Sequence, residues 1–258
     1  MKLFFDRRPI TSIDEALHSY KHSEFESPTR STIPLLSLLQ HGEAIWKRVL
    51  QHFGLLDSST EAHLEFAVPP PRGKGGPSQT DVMLINADRS VAIEAKWTEQ
   101  RYEEVQVWLK NGEDVQNRLE VLSGWLSLLR PHASKELKTE DFGSAVYQML
   151  HRAASACAAG TLPTLMYLQF FPLPDGSPVT SSLADDLRHL HSLLGTPDQF
   201  PFWLATVELH FHPDFEWIAA EPKGTLETAE MLRAALQNGP LFTLKGISFL
   251  PVKGTDSK

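Results

Sequence analysis

The sequence predicts an α/β protein in which helices flank a mixed β-sheet. Three observations predict this class: long segments with apolar residues at three- and four-residue spacing, short apolar or alternating segments between them, and an order in which strands and helices alternate in the second half. No internal repeat or long linker divides the 258 residues. We therefore expect one globular domain over residues 31–258, preceded by an N-terminal arm over residues 1–30.

The first part of the chain predicts a helix and a strand after that arm. Residues 1–30 show little periodicity, and we expect an irregular arm with a short helix over residues 12–20. Residues 33–53 have helical apolar spacing and predict one helix that Gly54 ends. HLEFAV, residues 63–68, alternates as a strand does and leads into PPPRGKGGPSQ, which predicts a loop.

The next two segments predict a β-hairpin. DVMLIN (residues 81–86) and SVAIEAKW (residues 90–97) are strand-like, and Ala87, Asp88 and Arg89 between them favour a turn. Strands on either side of so short a turn pair with each other.

The remaining elements follow from the same two periodicities. Residues 102–129 have a helical period that Asn111 and Gly112 interrupt, so we expect a break there. The other predicted elements are helices over 142–160, 182–195 and 226–237, and strands over 164–171, 202–211 and 242–250.

Composition excludes several classes of function. The formal charge of −8 argues against a protein that coats nucleic acid non-specifically, although a local basic rim on an acidic protein is compatible with an enzyme. No window approaches 18 uncharged apolar residues, and the N-terminus lacks a secretory pattern, so we expect neither a membrane span nor export. One cysteine, Cys157, fits a reducing compartment, and we expect a cytoplasmic protein.

The second hairpin strand carries the candidate site. Alternation places Glu94 and Lys96 on the face opposite Ile93, and the hairpin partner can bring Asp81 close to Glu94. Two carboxylates beside an ammonium are costly to bury unless a cation or an anionic ligand balances the charge. Mg²⁺ prefers such oxygen ligands and makes a bound water more acidic. Lys96 would orient that water or offset charge in the transition state. The alternative is a plain salt bridge between Glu94 and Lys96.

The residues Thr80-Asp81 followed by Glu94-Ala95-Lys96 resemble the motif of the PD-(D/E)XK nuclease superfamily, with Thr80 where the motif usually has proline. The resemblance implies a restriction-endonuclease-like three-layer sandwich with a central mixed sheet. It also implies that Asp81, Glu94 and the Ala95 carbonyl bind Mg²⁺, for which Mn²⁺ would substitute, and that Lys96 is catalytic.

A second similarity is to resolvase-like members of that superfamily, and it covers roughly residues 35–125. In these members a glutamate on the first helix joins the site and a basic loop precedes the aspartate. The resemblance implies that Glu43 is catalytic and that Arg72 and Lys74 bind nucleic acid. Glu43 would otherwise be a solvated helix residue, and the two basic residues ordinary loop residues. Glu65 is the rival of Glu43 for a place in the site.

RecB-like members carry a glutamine and a tyrosine on the helix after the lysine. Gln106 lies at a suitable distance, but no matching tyrosine follows it. Tyr147 and Gln148 lie on a later helix, where we expect them at the edge of the core.

The leading prediction is a Mg²⁺-dependent endo- or exonuclease acting on DNA. One alternative is a catalytically inactive nuclease-fold protein that binds nucleic acid or a protein partner, and another is an RNA nuclease. Many members of the superfamily act as dimers, so a homodimer is also an open alternative.

Overall fold

The computed structural model describes residues 1–173, 182–220 and 223–254, and within these ranges eight strands form one sheet. The sheet order is β2-β1-β3-β4-β5-β6-β7-β8. The strands are β1 (Lys2–Phe5), β2 (Arg8–Ile10), β3 (Glu61–Val68), β4 (Ser78–Asn86), β5 (Arg89–Lys96), β6 (Leu162–Phe171), β7 (Phe202–Phe211) and β8 (Phe242–Val252).

The sheet is mixed. Strands β3, β4 and β5 pair antiparallel to one another, while β5, β6 and β7 run parallel. At one edge β1 runs parallel to β3 and pairs antiparallel with β2, and at the other edge β8 pairs antiparallel with β7. The strand β5 therefore lies where the antiparallel part of the sheet meets the parallel part.

Helices cover both faces of the sheet and form two separate cores with it. The helices α1, α2, α3 and α8 pack on one face, and α4, α5, α6 and α7 pack on the other. The helices are α1 (Ile13–Leu17), α2 (Thr32–His41), α3 (Glu43–His52), α4 (Val105–Lys110), α5 (Val115–Leu129), α6 (Tyr147–Ala159), α7 (Ser182–Leu193) and α8 (Leu226–Asn238). Short 3₁₀ segments occur at His22–Phe25, Arg130–His132, Thr139–Phe142 and Pro213–Ala220. The prediction of an α/β protein with a mixed, helix-flanked sheet is confirmed.

The N-terminal residues differ from the expected irregular arm. Residues 2–5 and 8–10 are strands of the main sheet, and the following helix is only Ile13–Leu17. Leu3 lies opposite Ala62 in the parallel pair of β1 with β3. Segments of three and four residues are too short to show a period, and their pairing with β3 determines their conformation.

The predicted helix over residues 33–53 is two helices, α2 and α3, which meet at Gly42. A Cβ atom on Gly42 would lie 2.6 Å from the Leu38 carbonyl oxygen, so only glycine fits this close junction. Helical apolar spacing continues across the junction because both helices bury residues in the same core. Periodicity alone therefore could not reveal the break.

The other predicted elements agree closely with the structure. The hairpin of β4 and β5 forms, and α4 ends at Lys110 before the predicted break at Asn111 and Gly112. The last helix before β6 begins later than expected, at Tyr147, and ends before Gly160. Within the described ranges, no helix has the length and apolar character that a membrane span requires.

Candidate carboxylate and lysine site

The candidate site lies on the sheet face that α6 covers, in the part of the sheet where β3, β4 and β5 pair antiparallel. In the hairpin, Val82 lies opposite Ile93, so the next pair along the ladder is Asp81 with Glu94. Residues opposite each other on neighbouring strands share a face. Val91, Ile93 and Ala95 belong to the core on the other face. The predicted placement of Glu94 and Lys96 on one face, with Asp81 beside them, is confirmed.

Glu94 is the centre of the site and is only 2% exposed. Its Oε1 accepts hydrogen bonds from Lys96 Nζ at 3.0 Å and from Gln148 Nε2 at 2.9 Å, and its Oε2 accepts one from Arg152 Nε at 2.5 Å. Burial alone would raise the pKa of Glu94, but the charges of Arg152 and Lys96 lower it below the ordinary value. Glu94 is therefore an ionised carboxylate, and three of its about four lone-pair positions are occupied.

Asp81 is attached to the neighbouring strand through one oxygen. Its Oδ2 accepts a hydrogen bond from the backbone N–H of Ala95 at 2.7 Å. Its Oδ1 has no hydrogen bond to any residue that the structure describes. Burial, and then the negative charges of Glu94 and Glu65, raise the pKa of Asp81 well above its ordinary value. The site thus contains a carboxyl group with one oxygen that is free to accept a further ligand.

Glu65 joins this group through an unusual backbone conformation. Its φ is +53°, which is uncommon for a residue other than glycine, and it lies between the pairs Leu64 with Val82 and Phe66 with Thr80. Leu64 packs into one core and Phe66 into the other, so the strand changes its facing at Glu65. Burial, and then the charges of Glu24 and Glu94, raise the pKa of Glu65 to about 8. Strained residues of this kind concentrate at functional sites.

Lys96 is held as an ammonium. Besides its bond to Glu94, its Nζ lies 4.8 Å from the centre of the Tyr102 ring. Burial would lower the pKa of Lys96, but Glu94 and Asp81 raise it above the ordinary value. A permanently charged lysine can position or stabilise an anion, but it is not a free general base.

Sequence reasoning missed two residues of the site, both on α6. Gln148 and Arg152 are four residues apart, so they lie on the same face of the helix, and both donate to Glu94. Gln148 was expected only at the edge of the core. A glutamine and an arginine buried at this spacing are the signal that could have found them, since such residues are rarely buried without a partner. Arg152 also donates to the Ser78 hydroxyl on β4 at 2.8 Å.

Four predicted residues lie outside this group. Glu43 is exposed on the first turn of α3, and α3 packs into the core on the opposite face of the sheet. Glu43 is therefore a solvated helix residue, which was the alternative to a catalytic role. The helix breaks at Gly42, and Glu43 is the first residue of the new helix. Gln106 is exposed on α4 and donates to Glu104 at 2.8 Å. Arg72 is exposed in the loop before β4. Lys74 lies in the same loop and lines a cavity beside the site.

The donor set suits a cation with few protein ligands. No group of three or more His, Cys, Asp or Glu side chains in a metal-holding arrangement occurs within the described ranges. Mg²⁺ is commonly held by one or two carboxylates and keeps several waters. Asp81 Oδ1 and the remaining lone pair of Glu94 Oε2 offer such a set, in a place where burial and neighbouring carboxylates raise the pKa values of Asp81 and Glu65. The residues therefore fit Mg²⁺ in charge and donor type, and Asp81 Oδ1 is the oxygen that would bind it first.

Fold and site together define an α/β protein with a buried carboxylate, lysine and arginine cluster where the antiparallel and parallel parts of its sheet meet. A family model matches residues 9–203, a range that includes all residues of this cluster and ends at the beginning of β7. The chain belongs to this family, which is described as a domain of unknown function, DUF6946. No protein of curated function and no solved structure matches the chain.

Proposed function

We propose that this protein is a Mg²⁺-dependent nuclease of the PD-(D/E)XK type that hydrolyses phosphodiester bonds in DNA. The observation that carries the proposal is the convergence of Asp81, Glu94 and Lys96 on adjacent strands at one sheet face, with Glu94 buried and the other two half-buried. Apolar residues of similar volume would often stabilise the fold as well as these three ionisable groups do. A charged ligand or reaction explains why this face carries charges.

The order of elements supports a restriction-endonuclease-like fold for this enzyme. The strands β3, β4 and β5 form an antiparallel unit, and β5 then pairs parallel with β6 beneath α6. Helices on both faces give three layers. This arrangement presents the acid-bearing ends of β4 and β5 beside a helix that supplies further polar residues.

Each residue of the cluster has a distinct role in this proposal. Asp81, assisted by Glu94 and the Ala95 carbonyl, would hold Mg²⁺, which makes a bound water a better nucleophile at neutral pH. Lys96 places a positive charge where negative charge develops on the phosphate. Arg152 is a positioning residue: its hydrogen bond fixes the orientation of Glu94 and keeps that carboxyl ionised.

The proposal is tested with purified protein, Mg²⁺ or Mn²⁺, and linear, nicked, branched and single-stranded DNA. We expect cleavage that EDTA abolishes and that Asp81→Asn and Lys96→Gln each reduce by about a hundredfold or more, as is typical when a group acting on transition-state charge is removed. The matched controls are Asp88→Asn in the exposed turn of the same hairpin and Lys47→Gln at an exposed position of α3. Cleavage that survives both site substitutions would show that these residues are not the active site.

One observation favours a second candidate, a nuclease-fold protein that binds without cutting. The Arg152 guanidinium already forms an ion pair with Glu94. The negative charge of Glu94 is therefore balanced without a metal ion. Thermal unfolding with and without Mn²⁺ separates the two candidates. A rise in Tm that Asp81→Asn removes supports the nuclease, because a ligand stabilises only the state that binds it. An unchanged Tm supports the binding protein. A parallel assay on RNA tests whether RNA is the substrate instead.

A further inference from the structure

The cavity that Lys74 lines lies beside the site, between the loop at residues 69–77 and the helices α5 and α6. Its volume is about 370 Å³, which is within the range of small-ligand sites. The residues that carry its chemistry are Lys74, Ser78, Arg118, Trp125, Tyr147 and His151. It therefore combines two cations, a hydroxyl, an imidazole and aromatic walls.

The two cations of this cavity have no acidic partner. Neither Lys74 nor Arg118 forms an ion pair with any carboxylate in the part of the chain that the structure describes. Arg118 donates to the Trp108 carbonyl oxygen, and its guanidinium lies 4.9 Å from the centre of the Trp108 ring. A guanidinium has five N–H donors, so Arg118 keeps donors for a ligand. Although the protein has a formal charge of −8, the described residues that line this cavity include these two cations and no carboxylate, so the cavity is locally positive.

His151 adds a neutral donor. Its Nδ1 lies 3.3 Å from Arg152 Nη1 and 2.8 Å from Ser78 Oγ. Because a guanidinium can only donate, Nδ1 accepts this hydrogen bond and the ring proton is on Nε2. Burial, and then the charge of Arg152, lower the pKa of His151 well below its ordinary value, which agrees with the neutral ring. The cavity wall thus has an imidazole N–H donor in addition to the two cations.

The basic loop is fixed in place. The Lys74 N–H donates to Asn117 Oδ1 at 2.6 Å, and Asn117 Nδ2 donates to the Lys74 carbonyl at 2.8 Å. Gly73 has φ +72°, and a Cβ atom there would lie 2.7 Å from a Val121 methyl group. The loop therefore packs onto α5 at Gly73. Its backbone is preorganised, so a ligand would not have to order it on binding.

Hydrogen bonds connect the cavity to the candidate active site. Ser78 lines the cavity and accepts from Arg152, whose Nε binds Glu94. Ser78 is also three residues before Asp81 on β4, a separation of about 10 Å at the usual rise of a strand. A nucleic-acid strand that presents one phosphate to Asp81 therefore has a neighbouring part of its backbone within reach of the cavity.

We propose that this cavity binds a backbone phosphate of the nucleic-acid strand next to the phosphodiester that is cut. Lys74 and Arg118 supply the charge, and the His151 Nε2–H supplies a directional hydrogen bond. The inference rests on the proposed function, because it concerns the same substrate. It adds Arg118 and His151 to the interface and gives Lys74 a defined partner, a phosphate oxygen.

The test measures binding of fluorescein-labelled single-stranded and duplex DNA by fluorescence polarisation in EDTA, so that no cleavage takes place. We expect Lys74→Gln and Arg118→Gln each to weaken binding about five- to tenfold. Each should also reduce the slope of log affinity against log salt by about 0.7 for single strands, the contribution of one neutralised phosphate. Arg118→Lys, which keeps the charge, should restore most of the salt slope.

The matched controls are Lys47→Gln and Arg48→Gln, which remove the same charges from exposed positions on α3, over the opposite face of the sheet. If the cavity variants bind no more weakly than these controls, the phosphate site is wrong, even if Asp81-dependent cleavage is observed. If the cavity variants lose binding but no cleavage occurs under any condition, the phosphate site stands and the hydrolytic function fails. Circular dichroism of each variant identifies any loss of binding that is due to misfolding.

Discussion

The two faces of β5 are equally buried but differ in chemistry. On one face Val91, Ile93 and Ala95 are each at most 2% exposed and belong to an apolar core. On the other face Glu94 is also 2% exposed, yet it is held by an arginine, a lysine and a glutamine. At Ile93 and Glu94 both faces are buried, whereas Lys96 at the end of the strand is half-buried and lines a cavity. Only the face under α6 carries full charges at this depth.

The difference separates what stabilises this fold from what the fold is used for. An apolar face stabilises by removing surface from water, roughly 25 cal/mol for each Å². A buried ion pair recovers its desolvation cost only with good geometry and additional hydrogen bonds, and apolar residues of the same volume are often as stable. The charged face therefore contributes specificity of position, and its parts depend on one another far more than the parts of the apolar face do.

Removal of Arg152 should have the largest effect on stability. Arg152→Met leaves the carboxylate of Glu94 buried with Lys96 as its one remaining cation, and we expect a loss of about 3 kcal/mol or more in the free energy of unfolding. The double variant Glu94→Gln with Arg152→Met should recover part of this loss, because the fully buried carboxylate is then gone and only Lys96, which is half-buried, loses its ion pair. Urea unfolding at pH 7 measures both. Losses that simply add would show that the two side chains do not interact.

The pH dependence of stability tests the charged face next. The pKa of Glu65 is about 8 in the folded protein and 4.5 in an unperturbed chain, so the folded state holds a proton that the unfolded state releases. The stabilisation is complete below pH 4.5 and is lost as the pH rises through 8, with a slope of at most about 1.4 kcal/mol per pH unit.

Urea unfolding between pH 5 and 8.5 should show this decline in the parent protein and a weaker decline in Glu65→Gln. Glu43→Gln, which alters an exposed carboxyl on α3, is the matched control and should follow the parent. Equal slopes for Glu65→Gln and the parent would mean that Glu65 is ionised at neutral pH.

The smallest expected effect comes from the apolar face. Ile93→Val removes one buried methylene group and should cost about 0.5–1.5 kcal/mol. It should not change DNA cleavage or the response to Mn²⁺, because the Ile93 side chain points away from Asp81 and Glu94. A change in either property would show that packing on the apolar face also sets the geometry of the site.

Local patterns predicted the central hairpin and the relative placement of Asp81, Glu94 and Lys96. Strand alternation is a short-range rule, and it determines which side chains share a face without knowledge of the rest of the fold. The same rules could not predict that β1 adds to the sheet beside β3, since that pairing joins segments about 60 residues apart.

The partners of Glu94 show the same limit more clearly. Gln148 and Arg152 are more than 50 residues from Glu94, and only the packing of α6 on β4, β5 and β6 brings them together. The prediction for Glu43 came from the resemblance to resolvase-like nucleases, which have a glutamate on the first helix, whereas in this chain a new helix begins after Gly42. The prediction for Glu43 rested on the resemblance alone, because the local sequence pattern does not show which residues of a helix face the site.

The spacing of Gln148 and Arg152 makes the site dependent on the residue count of α6. Each residue turns a helix by about 100°, so inserting or deleting one residue between these two would point one of them away from Glu94. Changes of length in the exposed loop before β4 would leave that phase intact. Within this family, α6 should therefore vary in sequence on its outer surface but not in length between these two positions. The helical spacing of α6 thus determines which side chains hold Glu94 in place.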